Sequence, residues 1–274
     1  MKRFLNIEFN RVVKSYGFLA SVALGVFLGL GQYYFEVLKM RQYLDVYLRE
    51  ELSMLVPHSV FYKWIGGEGY TFQHYMLMIC LPIIASMPWA SSTYADRKET
   101  ITNNMWTRGK KRDYLLSKYI VNFLIGGTCC LLPFVINIVL TAATLPSLVP
   151  EVATGGYSIK TGSMFAELFY TRPYTYVFLY MIVIFAFCGL FATTALSSGE
   201  WGNNSFTIIL FPLILHLFMY EVCSPIKWQR IAPYHFLDPS QSAPDTKLWI
   251  IMIEAFVMIV FSTLSFYKGL KREL

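Results

Sequence analysis

TYADRKETITNNMWTRGKKRDYLLSK, residues 93–118, is the longest polar run between two strongly apolar segments and the most basic part of the chain. It holds Arg97, Lys98, Arg108, Lys110, Lys111, Arg112 and Lys118. A loop of that length and sign between two membrane spans belongs in the cytoplasm. Thr100 or Thr102 can cap a short helix within it, with Ile101 and Met105 four apart on one face and Trp106 beside them. Gly109 breaks that helix, and Arg112 to Lys118 leads into the next apolar segment. A short apolar-aromatic face held under a membrane is built to dock onto a cytoplasmic partner. Composition alone favours a plainer reading, a solvated positive-inside loop whose Trp and Met rest on lipid headgroups.

Outward from this loop the chain is apolar. Of its 274 residues 55% are hydrophobic and 15% charged, against about 25% charged in soluble domains. Tyr and Phe concentrate where apolar runs meet polar ones, which is the pattern of a polytopic helical membrane protein. The fold class expected is therefore all-α, with six transmembrane helices forming one domain over residues 1–274. The spans fall at about residues 16–35, 72–92, 119–140, 174–197, 205–222 and 248–267. The basic segment Met1–Lys14 interleaves Phe4, Leu5, Ile7, Phe9 and Val12, which fits a helix lying in the membrane interface. Span 1 is too long for a signal peptide, and Tyr33, Tyr34 and Phe35 stand where small cleavage residues would be needed. Gly25 and Gly29 form a small-xxx-small pair, usable within the chain or between two copies. Pro82 and Pro88 predict kinks in span 2. Met40, Leu44, Tyr47, Leu48, Leu52 and Leu55 predict an amphipathic helix in the loop between spans 1 and 2. The stretch PYHFLDP, residues 233–239, suits a segment dipping into the interface.

Six spans put both termini on one side, and charge selects the side. The N-terminal segment, the central loop and the C-terminal tail carry 14 of the 23 Lys and Arg residues. Both termini are thus expected in the cytoplasm, in a multi-pass protein of the plasma membrane.

Most catalytic chemistry is absent from the sequence. There is no G-x-x-x-x-G-K-[ST] to cradle a nucleotide, so no cofactor is expected on this chain. The four histidines at 58, 74, 216 and 235 are scattered and there is no H-E-x-x-H, which argues against a metal site. No pair of the five cysteines falls in an outer loop, so no disulfide framework is implied. Basic residues cluster at span ends rather than on one folded face, which excludes a nucleic-acid partner. Ser197–Ser198–Gly199 reads as a turn, not a nucleophile. Glu254, about two turns into span 6, is the possible intramembrane polar site, with structural pairing the first expectation for it.

A basic interfacial segment, six spans and a basic loop between spans 2 and 3 resemble the permease subunit of ABC-2 type ATP-binding cassette transporters. The sharpest part is the acidic start at Asp96 followed by TRGKKRDYLLSKYI. Thr107, Arg108, Gly109, Arg112, Leu115 and Lys118 match the family's Thr-Arg-Gly-x-x-Arg-x-x-Tyr/Leu-x-x-Lys pattern. The bacterial branch concerned with antimicrobial-peptide export or resistance is the most similar. The family often has Gly about four residues after the acidic start, where this chain has Lys98, Glu99 and Thr100. The resemblance implies that the loop carries a coupling helix inserted into a separate ATPase. Asp96, Ile101, Met105, Trp106, Arg108, Gly109 and Arg112 would serve that contact. It also implies two ATPase copies, which would hold the ATP and Mg, a second permease protomer in a homo- or heterodimer, and contact with membrane lipid. The function expected is movement of an amphipathic cargo (a peptide, antibiotic or lipid-like molecule) outward across the membrane. Two other readings stand beside it: a membrane-embedded immunity-type hydrolase, for which no catalytic pair is evident, and a non-transporting scaffold or sensor subunit.

Overall fold

The computed structural model describes residues 1–42, 59–99, 109–152, 157, 159–160, 162–202, 204–226, 228–241 and 247–271. Regular structure among them is helical throughout. The main elements are α1 (Lys2–Val13), α2 (Tyr16–Gln32), α3 (Phe72–Ser86), α4 (Ser92–Lys98), α5 (Lys111–Thr144), α6 (Pro173–Ser198), α7 (Ser205–Cys223) and α8 (Leu248–Lys271). Short helices at Val60–Lys63, Ala166–Thr171 and Pro233–Phe236 lie between them. The amphipathic helix expected from Met40 onward falls largely on residues 43–58, outside the described residues.

Local signals set the helix starts. Ser15 caps α2 by accepting from the Phe18 N–H at 3.1 Å, and Asn204 caps α7 by accepting from the Phe206 N–H at 3.1 Å. Thr71 does the same for α3 at the His74 N–H, at 3.3 Å. α6 opens on Pro173, where a missing N–H costs nothing. α2 does not stop at Phe35. It continues through a π-helical turn, Tyr33–Val37, and then Leu38–Arg41.

Among the described residues, five helical segments are long and apolar enough to cross a membrane: Tyr16–Arg41, Lys111–Thr144, Pro173–Ser198, Ser205–Cys223 and Leu248–Lys271. The second expected span is shorter than the sequence suggests. α3 has 15 residues, or about 22 Å at roughly 1.5 Å per residue, against a hydrocarbon core of about 30 Å. Its end has a cause. Pro88 lacks the N–H that would bond the Ile84 carbonyl, and the Ser21 hydroxyl donates to that carbonyl instead, at 2.6 Å. Span 3 is longer than expected because the basic approach, Lys111 to Lys118, is itself helical and buries Tyr114, Leu115 and Lys118.

α3, α5 and α6 form the centre of the bundle. A Cβ on Gly126 of α5 would lie 2.5 Å from the Ala192 Cβ of α6 and 2.7 Å from the Ala85 carbonyl oxygen of α3, so the three backbones meet where only glycine fits. α2 packs on α5 by the same device. A Cβ on Gly25 would meet the Pro133 ring at 3.3 Å, and one on Gly29 the Pro133 carbonyl oxygen at 3.0 Å. The small-residue pair of α2 is thus engaged within the chain. α7 and α8 lie outside this centre and leave Ile214, Phe218, Ile253, Phe256 and Val257 exposed.

Polar side chains concentrate at the two ends. α1, α4, the start of α5, residues 199–202 and the end of α8 gather at one end, called here the near end. The far end holds residues 59–74, the start of α6 and residues 228–241. Asn137 ties the far end together: its Oδ1 accepts from the Ile65 N–H at 2.7 Å, and its Nδ2 donates to the Gly29 carbonyl at 2.9 Å and the Gln32 Oε1 at 2.7 Å. The PYHFLDP stretch is folded into this end, with Pro233, Tyr234, Phe236 and Leu237 buried.

Candidate functional site

The near-end cluster starts from α1. Phe4, Glu8 and Val12 recur at a spacing of four and form its buried face. A carboxylate on an otherwise apolar face needs partners, and Glu8 has two. Its Oε2 accepts from the Trp89 indole N–H at 2.8 Å, and its Oε1 accepts from Arg11 at 3.0 Å. Arg11 also stacks over the Trp89 ring at 5.1 Å and reaches Asp96 on α4 with both terminal nitrogens, at 2.5 and 3.1 Å.

Asp96 is the hub. Its side chain is 2% exposed, and three side chains donate to it. Besides Arg11 of α1, the Tyr114 hydroxyl donates at 2.6 Å and the Lys118 ammonium at 2.5 Å, both from α5. Burial alone would push the Asp96 carboxyl up, but Arg11, Lys118 and Tyr114 outweigh it and hold it at about 2. The bond to Asp96 raises Arg11 above its ordinary value despite the cost of its own burial. A buried carboxylate with two cations and a hydroxyl around it is a fully partnered network, which fixes geometry rather than performs chemistry.

The next residue extends the cluster. Arg97 donates to the Gly199 carbonyl and pairs with Glu200 at 3.3 Å. α4 is thereby tied to the turn between α6 and α7. On the other side of the loop, the N-terminal ammonium pairs with Asp113 at 3.2 Å. A Cβ on Gly109 would lie 2.7 Å from the Phe4 ring, and Phe4 packs edge-on against Tyr114 at 5.9 Å. Residues 96–97 and 109–114, the two flanks of the central loop, are therefore both fastened to α1 and the bundle.

Of the residues singled out in the sequence, the structure brings Asp96 and Gly109 to this one end. Arg112 is exposed on the first turn of α5. Ile101, Met105, Trp106 and Arg108 lie outside the described residues. Gly25 and Gly29 are elsewhere, on the face of α2 that packs against Pro133 of α5. Glu254 is half-buried on α8, and its Oε1 has no hydrogen-bond partner among the described residues. Ser197 and Ser198 donate to the Thr193 and Ala195 carbonyls of their own helix. Among the described residues no group of three His, Cys, Asp or Glu side chains could hold a metal ion.

Sequence reasoning did not find Arg11, Glu8, Trp89 or Glu200 as parts of this site. A signal for Glu8 was present: it shares a helical face with Phe4 and Val12, and a charge there demands a partner. Nothing in the sequence pointed from Arg11 to Asp96, 85 residues away. No family model, no curated protein and no solved structure matches the chain.

Proposed function

We propose that this chain is the membrane-spanning permease subunit of an ABC transporter, driven by a separate ATPase that docks on residues 100–108. The observation that carries this reading is the Asp96 cluster. It fastens both flanks of the loop to α1 and to the long helix α5, so that a load applied to the loop passes into the bundle. In this reading α3 is a sixth, short crossing, both termini are cytoplasmic, and the near end faces the cytoplasm of a bacterial cell. Two protomers form the path and each engages one of two ATPase copies, which hold the ATP and Mg. The cargo is amphipathic and moves outward, in keeping with the Phe, Tyr, Met and Leu that line the helices.

The test is co-purification of this chain with an ATP-binding cassette ATPase from the same cell, run alongside a transport or resistance assay. Trp106→Ala and Met105→Ala are expected to weaken ATPase binding, by about 2 kcal/mol for a buried aromatic anchor, and to lose transport while still inserting. Lys110→Ala, beyond the Gly109 break, is expected to change little. Full retention of binding and transport by the Trp106 and Met105 variants would remove the coupling assignment.

A further inference from the structure

The far end holds a second cluster of titratable groups that the coupling reading does not use. His74, in the first turn of α3, is 1% exposed. Its Nδ1 is hydrogen-bonded to the Ile65 carbonyl, and its Nε2 lies 3.3 Å from Asp238 Oδ1. A backbone carbonyl has no proton to donate, nor has an ionised carboxylate. A ring with an acceptor at each nitrogen is satisfied only with a proton on each nitrogen. Placing the shared proton on Asp238 instead would make Oδ1 a hydroxyl, a poorer acceptor for the Ser240 N–H than a carboxylate oxygen. The Ser240 N–H donates to Oδ1 and its hydroxyl to Oδ2, both at 2.8 Å, so both carboxyl oxygens already act as acceptors. In keeping with this, burial pushes the Asp238 carboxyl up, but His74 and Ser240 outweigh it and leave it below the ordinary carboxylate range.

Other charged and titratable groups face the pair from each neighbouring element. Lys63 and Glu68, paired at 2.6 Å, come from the segment before α3, and Glu68 acts on His74. His235 and Tyr234 flank Asp238 on its own segment, and Tyr176 and Tyr180 face it from α6. The paired Lys63 and Glu68 leave Asp238 as the close counter-ion of His74.

Asp238 belongs to a plug, residues 229–241, set into the far end. The Phe236 ring packs edge-on against Phe187 of α6 at 5.0 Å. Tyr234 packs against Tyr75 of α3 at 5.8 Å and Tyr220 of α7 at 4.9 Å. The Tyr176 hydroxyl donates to the Pro239 carbonyl at 2.5 Å, and Gln241 donates to the Met164 carbonyl at 2.6 Å. Beside it, a Cβ on Gly69 would lie 2.5 Å from the Ser240 hydroxyl.

We propose that His74 and Asp238 form a protonation-controlled latch, in which a proton on each ring nitrogen of His74 holds the plug against α3 and loss of the Nε2 proton releases it. Without that proton the Nε2 lone pair faces a buried carboxylate, and the attraction between His74 and Asp238 turns to repulsion. The sign follows from the two groups. The His74 contribution is present at low pH and lost as pH rises through the titration of the pair. The Asp238 contribution is lost only in acid, as pH falls through its lowered value. The latch thus opens on the alkaline side.

The test uses the full chain in detergent, with the native cysteines replaced and a single cysteine introduced by Leu237→Cys, a position of 0% exposure. Its maleimide labelling rate is divided by that of Tyr70→Cys, at an 85% exposed position, so that the rise of thiol reactivity with pH is corrected. The ratio is expected to rise about tenfold or more between about pH 6 and about pH 9. In Asp238→Asn an amide N–H in place of Oδ1 meets the Nε2 lone pair of a neutral ring and the carbonyl keeps the Ser240 hydroxyl, at the loss of the acceptor for the Ser240 N–H; with no proton shared between ring and carboxylate the ratio is flat with pH. A flat ratio in the parent, or the same rise in Asp238→Asn, overturns the latch. If Asp238→Asn does not assemble, 15N resonances of the histidine rings in the parent decide. One ring doubly protonated above about pH 7.5, where a free imidazole is neutral, supports the latch; all rings neutral there overturns it.

Discussion

Asp96 sits where a carboxylate should be expensive, and its partners explain why it stays charged. Two cations and a phenol hold it, and its neighbour Lys118 is 1% exposed, so each depends on the other. Asp96→Ala removes the counter-charge of a buried ammonium and is expected to cost about 3–5 kcal/mol. Arg11→Ala should cost less, because Asp96 keeps Lys118 and Tyr114 and the Arg11 side chain is 28% exposed. Thermal unfolding of the purified protein in detergent would rank the two; equal losses would deny the hub role of Asp96. The pH dependence has a defined sign. Asp96 is lowered from 3.8 to about 2, so its contribution is whole above the unfolded value and is lost as pH falls through about 2. Between those limits the parent should lose stability with acid, and Asp96→Asn should lose less. Asp96 itself was legible in the sequence as the acidic start of a basic loop. Its partners were not, because Arg11 reads as one more interfacial cation and Lys118 as one more positive-inside charge. Only the fold reveals that both point inward.

At the scale of elements, the apolar runs located the helices and misjudged their ends. Hydropathy reports where side chains are apolar, whereas a helix ends where a backbone donor is missing or a cap intervenes. Span 3 therefore grew by the basic turns from Lys111, and α3 stopped at Ser86, where the Ser21 hydroxyl occupies the Ile84 carbonyl. The glycine pair of α2 shows the reverse case, in which the spacing was readable but its target was not. Gly25 and Gly29 face Pro133, and nothing in the sequence distinguishes that from a contact between copies. Gly25→Leu or Gly29→Leu must push α2 off α5 and is expected to cost about 1–3 kcal/mol. Ala23 is exposed on another side of the same helix, so Ala23→Leu should be near neutral. Unfolding in detergent measures all three. Equal effects would mean that the α2–α5 contact yields without cost.

Over the whole molecule, the polar networks lie at the two ends and the apolar packing between them. The near-end network joins the parts expected in the cytoplasm from their charge, namely the N-terminal helix, the flanks of the central loop and the end of α8, to the turn at Gly199–Glu200, which carries no Lys or Arg. Phe4, Tyr114, Leu115, Phe266 and Leu270 pack together there, so the first and last helices meet at one end of the bundle. With α3 counted as a crossing, a chain whose terminal helices meet at one end crosses an even number of times. Lys110 is exposed at the near end, and Tyr70 is 85% exposed at the far end. The native cysteines 129, 130, 188 and 223 are buried and Cys80 is half-buried, so the background to a labelling experiment is low. In sealed cells, an impermeant maleimide is expected to label Tyr70→Cys and to leave Lys110→Cys unlabelled until the membrane is opened. The basic loop sets that direction, because cytoplasmic retention of Lys and Arg orients the spans. Labelling of both positions in sealed cells would mean that α3 does not cross. Labelling of Lys110→Cys alone would invert the protein and place the Asp96 cluster, with the loop it fastens, beyond the reach of any cytoplasmic ATPase.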